Sequence, residues 1–225
     1  MFEIKNLTLI YDMEKEEKVY AINDATLTLP DHGLIGIVGP SGSGKSSLMY
    51  CLSTLKKATS GEIRYNGTSY SNLSKNEMEY LRREQFGFVF QRHFLIGYMS
   101  ALDNVIIASK EALDNAKQRG RDLLLSMRIK PSEVWKRPKQ LSGGQRQRCA
   151  IARALMNEPN VVFADEPTAS LDHENAFHVM TFLKNYSKDN LVIVITHDHS
   201  ILKEADQTIE IWDGVITCKE GRGEA

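Results

Sequence analysis

Gly39-Pro40-Ser41-Gly42-Ser43-Gly44-Lys45-Ser46 satisfies the pattern G-x-x-x-x-G-K-[ST] without a substitution. In front of it stands Leu34 to Val38, a short apolar run of the kind that forms a buried parallel strand. Behind it Leu48, Met49, Leu52 and Leu55 recur at helical spacing, which predicts a helix from Lys45 to about Lys57. Strand, glycine loop, helix is the context in which such a loop turns its backbone N–H groups inward around phosphates. Lys45 is placed to reach the outer phosphates as a compact cation, Ser46 to offer a hydroxyl to Mg²⁺, and the helix start to add a positive dipole end. Ser41 and Gly42 are expected to line the outer-phosphate cradle and Ser47 to reach the α-phosphate. The ligand these residues imply is a nucleoside triphosphate.

Outward from the loop, Phe2 to Tyr11 and Tyr20 to Leu29 have the pattern of strands, with Asp12 to Lys18 as the loop between them. Asn66-Gly67 after Glu62 to Tyr65 signals a hairpin and so a group of antiparallel strands. Ser74 to Glu84 is expected to be a helix, opened by a capping box of Ser74 and Glu77, and Phe86 to Phe90 a strand. From residue 92 to 156 the pattern is helical alone: Leu102 to Ala108, Ala112 to Met127 and a segment starting at Ser142, punctuated by Pro131 and Pro138. Strands resume at Asn160 to Ala164 and Leu191 to Thr196, separated by a helix with Ala176, Phe177, Met180 and Leu183 on one face. Strands alternating with helices predict an α/β fold with a mostly parallel core sheet. To it are added an antiparallel β subdomain and an inserted helical subdomain at about 92–156, with the catalytic core at about 1–91 and 157–225 of a single domain.

Composition narrows the partners. With 225 residues, 42% hydrophobic and 25% charged, the chain has enough material for a full core, and its formal net charge of −1 gives no global footprint for nucleic acid or anionic lipid. Lys136, Arg137, Lys139, Arg146 and Arg148 form a local basic cluster, expected to be a solvated helix flank. Cys51, Cys149 and Cys218 are odd in number and lack metal-ligand spacing, which points to free thiols in a reducing compartment. No signal peptide is visible, and the longest apolar runs are far too short to span a bilayer. Any membrane association is therefore expected to come through a partner.

Val161-Val162-Phe163-Ala164-Asp165-Glu166 is an apolar strand delivering two consecutive carboxylates at its C-terminal end, where ligands gather in parallel sheets. Neighbours on an extended chain point to opposite sides, so Asp165 is expected to face a metal and its water while Glu166 polarises an attacking water.

Taken with Leu141-Ser142-Gly143-Gly144-Gln145, these motifs make the chain resemble the ATP-binding cassette family over nearly its whole length. The order of motifs matches as well. Gln91 resembles the glutamine of the loop after the preceding strand, Ser170-Leu171-Asp172 the D-loop, and His197 the switch histidine. The resemblance implies a P-loop ATPase that dimerises around two ATP, with Ser142, Gly143, Gly144 and Gln145 of one copy on the γ-phosphate held by the other. It further implies Gln91, Ser46 and Asp165 on Mg²⁺, Glu166 and His197 in catalysis, Asp172 at the dimer seam, and adenine stacked on Tyr11. His32, His93, His173, His178 and His199 have no such alignment and are expected to be surface or packing residues.

The loop sequence, Phe86 to Gln91 and Ala164-Asp165-Glu166-Pro167-Thr168 look most like the macrolide-exporter and lipoprotein-release group. That implies a cassette at the cytoplasmic face of the cell membrane, held there by a separate permease that handles peptides, lipoproteins or antibiotics. A soluble non-transport cassette and an importer-type cassette are the alternatives. Arg92 to Met99 departs from the group's pattern, and Phe94, Leu95, Ile96, Tyr98 and Met99 make either an apolar cleft for a helix of the membrane subunit or internal packing.

Overall fold

The computed structural model describes residues 1–11, 18–198 and 202–220, with the side chains of 218–220 left aside. Most of the expected loop Asp12 to Lys18, His199 and the Cys218 thiol fall outside the described residues.

Two sheets share one core. The antiparallel sheet has the order β2-β1-β4-β5, from β1 (Phe2–Tyr11), β2 (Val19–Leu29), β4 (Ser60–Tyr65) and β5 (Thr68–Ser69). The second sheet has the order β10-β9-β3-β8-β7-β6, from β3 (Gly33–Val38), β6 (Phe86–Val89), β7 (Val161–Asp165), β8 (Leu191–Ile195), β9 (Gln207–Trp212) and β10 (Val215–Glu220). Neighbouring strands from β9 through β6 run parallel, and only β10 is antiparallel.

Strands β3, β7 and β8 are buried along their whole length, as continuous apolar runs in a sheet covered on both faces should be. Their side chains alternate with the pleat. Ile35, Ile37, Val161, Phe163, Leu191, Ile193 and Ile195 join the antiparallel sheet and helix α1 (Lys45–Leu52) in one core. Leu34, Val38, Val162, Ala164, Val192 and Val194 face the other core. There they meet residues of α3 (Ala101–Ile106), α4 (Leu113–Ser126), α5 (Gly143–Ala154) and α6 (His173–Tyr186). Phe2, Tyr65, Phe86 and Phe163 lie with ring centroids 4.8 to 6.4 Å apart and tie the two sheets together.

Local signals account for most boundaries. Asn66 and Gly67 take φ 49° and 80°, the left-handed pair that a two-residue hairpin needs between β4 and β5. Ser74 caps α2 (Lys75–Tyr80) through the expected box with Glu77, after which Leu81–Gln85 loosens into a π-helical turn. Helix α1 stops at Leu52, five residues short of the expected end, and Leu55 is 44% exposed. On α6 the buried face is Val179, Met180 and Leu183, whereas Phe177 is 63% exposed and outside the expected apolar stripe. Strands β9 and β10 were not anticipated from the sequence, although Asp213-Gly214 between them carries the same turn signal, with φ 46° and 78°. Among the described residues, no helix is long and apolar enough to cross a membrane.

Candidate functional site: a phosphate loop, two carboxylates and a histidine

Parallel strands β3, β7 and β8 end on the same edge of their sheet, and each delivers part of the site. The loop leaving β3 holds its shape through glycine. Gly39 and Gly44 have φ 149° and 109°, and a Cβ on either would stand 2.1 Å from the Ile211 carbonyl oxygen or 2.0 Å from that of Ala21. The backbones of β9 and β2 thus press against the loop from outside, which leaves its inner side for phosphate. Gly42, with φ 81°, meets nothing within 4 Å and is required by conformation alone. Pro40 closes the loop's turn through Ser43 N–H to its carbonyl at 3.3 Å, and Ser43 is buried. Lys45 Nζ donates to the carbonyl oxygens of Gly39 at 2.9 Å and Pro40 at 2.7 Å, so the ammonium sits over the loop's mouth.

Behind the loop, α1 packs on the face of β7 that also presents Phe163, and pleat alternation puts Asp165 on that face too. Ser46 Oγ donates to Asp165 Oδ2 at 3.1 Å as a result. Burial raises the pKa of Asp165, the neighbouring Glu166 raises it further, and the Ser46 hydrogen bond and Lys45 pull it back.

Glu166 is parted from Asp165 by a different device from the expected alternation. Strand β7 ends at Asp165, and Glu166 turns out of it with φ 50° while its N–H still pairs with Ile195 O at 2.9 Å. A left-handed non-glycine residue of this kind is strained, and strain of that sort gathers at functional sites. Its carboxylate Oε1 accepts twice from His197, from the backbone N–H at 3.2 Å and from Nδ1 at 2.8 Å. The loop after β8 that carries His197 is tied by Asp198 N–H to Thr196 Oγ1 at 3.1 Å. The Glu166 hydrogen bond and charge raise the His197 pKa above its ordinary value.

Lys45, Ser46, Asp165, Glu166 and His197 are therefore brought together. Tyr11, at the end of β1, reaches the same loop through its hydroxyl, 3.4 Å from Ser47 Oγ, and Lys56 Nζ lies 4.9 Å from its ring centroid. Gln91 follows Phe90 just beyond the end of β6, beside β7, and is exposed. Its hydrogen bonds do not include Ser46 or Asp165 among the described residues.

The second turn stands apart from the first. Ser142 caps α5: its Oγ accepts from Gln145 N–H at 3.2 Å, and Gln145 Oε1 accepts from Ser142 N–H at 2.8 Å. Gly144 packs so closely on the loop before α6 that a Cβ there would lie 3.1 Å from Ser170 O and from Leu171 Cδ2. Gly143 has more room, with Ser170 Cβ at 3.8 Å. Asp172 caps α6, accepting from Asn175 N–H at 2.8 Å. Among the described residues, 142–145 form no hydrogen bond with 39–47.

The basic cluster is only partly a solvated flank. Arg148 is buried and donates to the carbonyls of Met127 at 2.9 Å and Arg128 at 3.1 Å, while Arg146 donates to Leu141 O at 2.6 Å. Cys51 and Cys149 are free and buried, with thiol pKa values pushed up by burial to about 11 and about 12, as inert core thiols require. His178 Nε2 meets Ser126 O at 2.8 Å, a packing contact as expected.

Comparison with known proteins agrees with this geometry. Residues 22–169 match the family model described as ABC transporter. The lipoprotein-releasing system ATP-binding protein LolD of Wigglesworthia glossinidia brevipalpis is 38% identical over 224 residues, covering 97% of each chain. The macrolide export ATP-binding/permease protein MacB of Psychrobacter arcticus is 42% identical over 204 residues, which is 89% of this chain and 31% of that protein. This chain thus spans about a third of the length of its macrolide-export relatives. Among solved structures, the dimeric ATP-binding cassette MJ0796 in a post-hydrolysis state with ADP and Pi superposes with a TM-score of 0.93 at 34% identity, covering 99% of this chain and 100% of that one. The family model, the relatives and the superposed cassette coincide: the chain belongs to the ABC transporter family, as an ATP-binding, ATP-hydrolysing cassette.

Proposed function

We propose that two copies of this chain close head to tail around two ATP molecules, each held on the 39–46 loop of one copy and capped by the 142–144 turn of the other. Closure then drives a separate membrane permease engaged in export or extraction of peptides, lipoproteins or antibiotics. The observation that carries this reading is that one chain presents two formed phosphate-compatible turns, at 39–46 and 142–144, without a hydrogen bond between them. The dimeric state of the cassette it superposes on, and the lipoprotein-releasing and macrolide-export names of its relatives, support it.

Within each site the roles follow from chemistry. Backbone N–H groups of Gly39, Pro40-Ser41-Gly42-Ser43 and Gly44 enclose the phosphates, proline excepted as a donor, and Lys45 exchanges its carbonyl partners for phosphate oxygens. Ser47 takes the α-phosphate and Tyr11 stacks on adenine, its ring already anchored to the loop through Ser47. Ser46 Oγ and Asp165 Oδ2 are hard oxygen donors 3.1 Å apart, and a cation beside the buried Asp165 carboxyl would offset the burial that opposes its charge, so the residues fit Mg²⁺. Gln91 completes that donor set with its amide oxygen. The ion, when bound, neutralises charge on the phosphate oxygens. Glu166 orients and polarises the attacking water, and His197 holds Glu166 and donates to the γ-phosphate. Ser142, Gly143, Gly144 and Gln145 form the capping turn, and Asp172 reaches the seam from the start of α6.

Residues 1–91 and 157–225 act as the catalytic core and 92–156 as the helical subdomain that faces the permease. Phe94, Leu95, Ile96, Tyr98 and Met99 supply its docking cleft, with Phe94 and Tyr98 the most exposed of them. The protein works peripherally on the cytoplasmic face of the membrane. The test is the Glu166→Gln variant with ATP in size exclusion coupled to light scattering. A dimer that dissociates when Ser142→Arg is added is expected, and a monomer at saturating ATP overturns the reading.

A further inference from the structure

The signature turn is held from outside its own helix. Gln145 Oε1 accepts from Ser142 N–H at 2.8 Å, and its Nε2 donates to Glu133 Oε1, also at 2.8 Å. Glu133 is only 8% exposed, and both of its oxygens are engaged. Oε2 accepts from Lys130 N–H at 3.1 Å, and Oε1 lies 3.5 Å from Lys136 Nζ. Burial pushes this carboxyl up, but the Lys130 N–H, the Gln145 amide and Lys136 together bring it below the ordinary glutamate range.

The turn beneath Glu133 is itself fixed. Glu133 N–H donates to Lys130 O at 2.8 Å and Lys136 N–H to Glu133 O at 2.9 Å, while Ala101 and Leu102 at the start of α3 donate to the carbonyls of Lys136 at 2.8 Å and Val134 at 3.0 Å. An amide has one accepting end and one donating end, whereas an ionised carboxylate only accepts. Glu133 therefore forces Gln145 to turn its Nε2 inward and its Oε1 toward Ser142 N–H. The Ser142 hydroxyl, accepting from Gln145 N–H at 3.2 Å, keeps its proton for a group outside the helix.

We propose that Glu133 is a positioning residue for ATP-driven closure: through the Gln145 amide it fixes the outward donor set of Ser142, Gly143 and Gly144. This role rests on the two-copy reading above. The competing possibility is that Glu133 merely fastens the 130–136 turn to α5. The two differ in what a swap of the partners does.

In Glu133→Gln one amide faces two donors. If its oxygen accepts from Lys130 N–H, its NH₂ meets the NH₂ of Gln145; if it turns round, it meets Lys130 N–H instead. Adding Gln145→Glu resolves the conflict, since a carboxylate at 145 accepts both from the amide at 133 and from Ser142 N–H. The experiment places both variants in the Glu166→Gln background and measures ATP affinity of the monomer and ATP-driven dimerisation by analytical ultracentrifugation, with thermal melts as a control. We expect Glu133→Gln to leave monomer affinity within about twofold and to weaken the dimer about tenfold, the scale of one misdirected hydrogen bond. The double variant should recover most of that loss. A single variant that dimerises as tightly as its parent, or a double variant no better than the single, overturns the role while leaving the sandwich intact. A parent that stays monomeric in ATP overturns the sandwich reading and this role with it.

Discussion

His197 gives two donors to one oxygen of Glu166, the backbone N–H at 3.2 Å and Nδ1 at 2.8 Å. With Nδ1 donating, the ring's other nitrogen, Nε2, is the one turned away from the carboxylate. The side chain of His197 is 78% exposed and that of Glu166 only 12%, so the carboxylate is the enclosed member of the pair and the imidazole the solvent-facing one. In the reaction proposed above, this makes Glu166 the enclosed base and leaves His197 Nε2 for the γ-phosphate.

Because the raised His197 pKa comes from Glu166, Glu166→Gln should lower it toward the ordinary histidine value. The group's folded pKa is raised, so its contribution to stability is full below the unfolded histidine pKa and is lost as pH rises through the folded one. Solvent screening keeps that contribution within the range of about 0–1 kcal/mol measured for exposed pairs, and the melt should move little. The direct readout is the imidazole titration followed by NMR. An unchanged His197 midpoint in Glu166→Gln would remove Glu166 as the cause.

Asp165 is held in the opposite sense, against its own ionisation. An acid whose folded pKa is raised weakens the folded state as pH climbs through the interval between its unfolded and folded values. Asp165→Asn keeps an oxygen for Ser46 Oγ and removes the buried charge, so the nucleotide-free protein should melt higher at neutral pH, by about 2–4 °C for each kcal/mol relieved in a domain of this size. Mg²⁺-dependent hydrolysis should fall by orders of magnitude in the same variant. A lower melting temperature would contradict the account of Asp165 as a carboxylate that burial holds against its ionisation.

Arg148 shows what the sequence hid. In a run of basic residues it reads as solvated flank, yet it is buried and its guanidinium satisfies the two carbonyls just past the end of α4, Met127 O and Arg128 O. Replacing it with methionine preserves volume and strands those acceptors, and the expected loss is about 2–3 kcal/mol in urea unfolding. A change within about 0.5 kcal/mol, the range of ordinary surface substitutions, would show the contacts to be incidental.

Parts of the molecule governed by local rules were legible. The Asn66-Gly67 turn, the Ser74 and Ser142 caps, and the alternation along β3, β7 and β8 depend on residues within a few positions of one another. What escaped depends on distant chain segments. The exposure of Phe177 is set by where α6 lies on the sheet. The early end of α1 is the local exception: Thr54 turns left-handed with φ 59° and the Leu55 N–H closes back on Tyr50 O at 2.9 Å, without the glycine that usually marks such a stop. At the site, the motif residues were named from the sequence, but Glu133 and the backbones of Ala21 and Ile211 were not, because they act from other elements.

The glycine loop allows conformation and crowding to be separated. Gly42 has φ 81° with nothing within 4 Å of its Cβ position, so Gly42→Ala meets only the left-handed penalty of about 1–2 kcal/mol, a melting shift of roughly 2–8 °C. Gly44 has φ 109°, and its Cβ would stand 2.0 Å from Ala21 O, a backbone atom of β2 that cannot rotate away. Gly44→Ala must therefore displace β2 or the loop, and we expect a larger loss of stability together with loss of ATP binding, whereas Gly42→Ala should still fold. Thermal melts and ATP titration of the two variants decide the matter. Equal losses in both would mean that conformation alone, and not the close approach of β2, shapes the phosphate cradle.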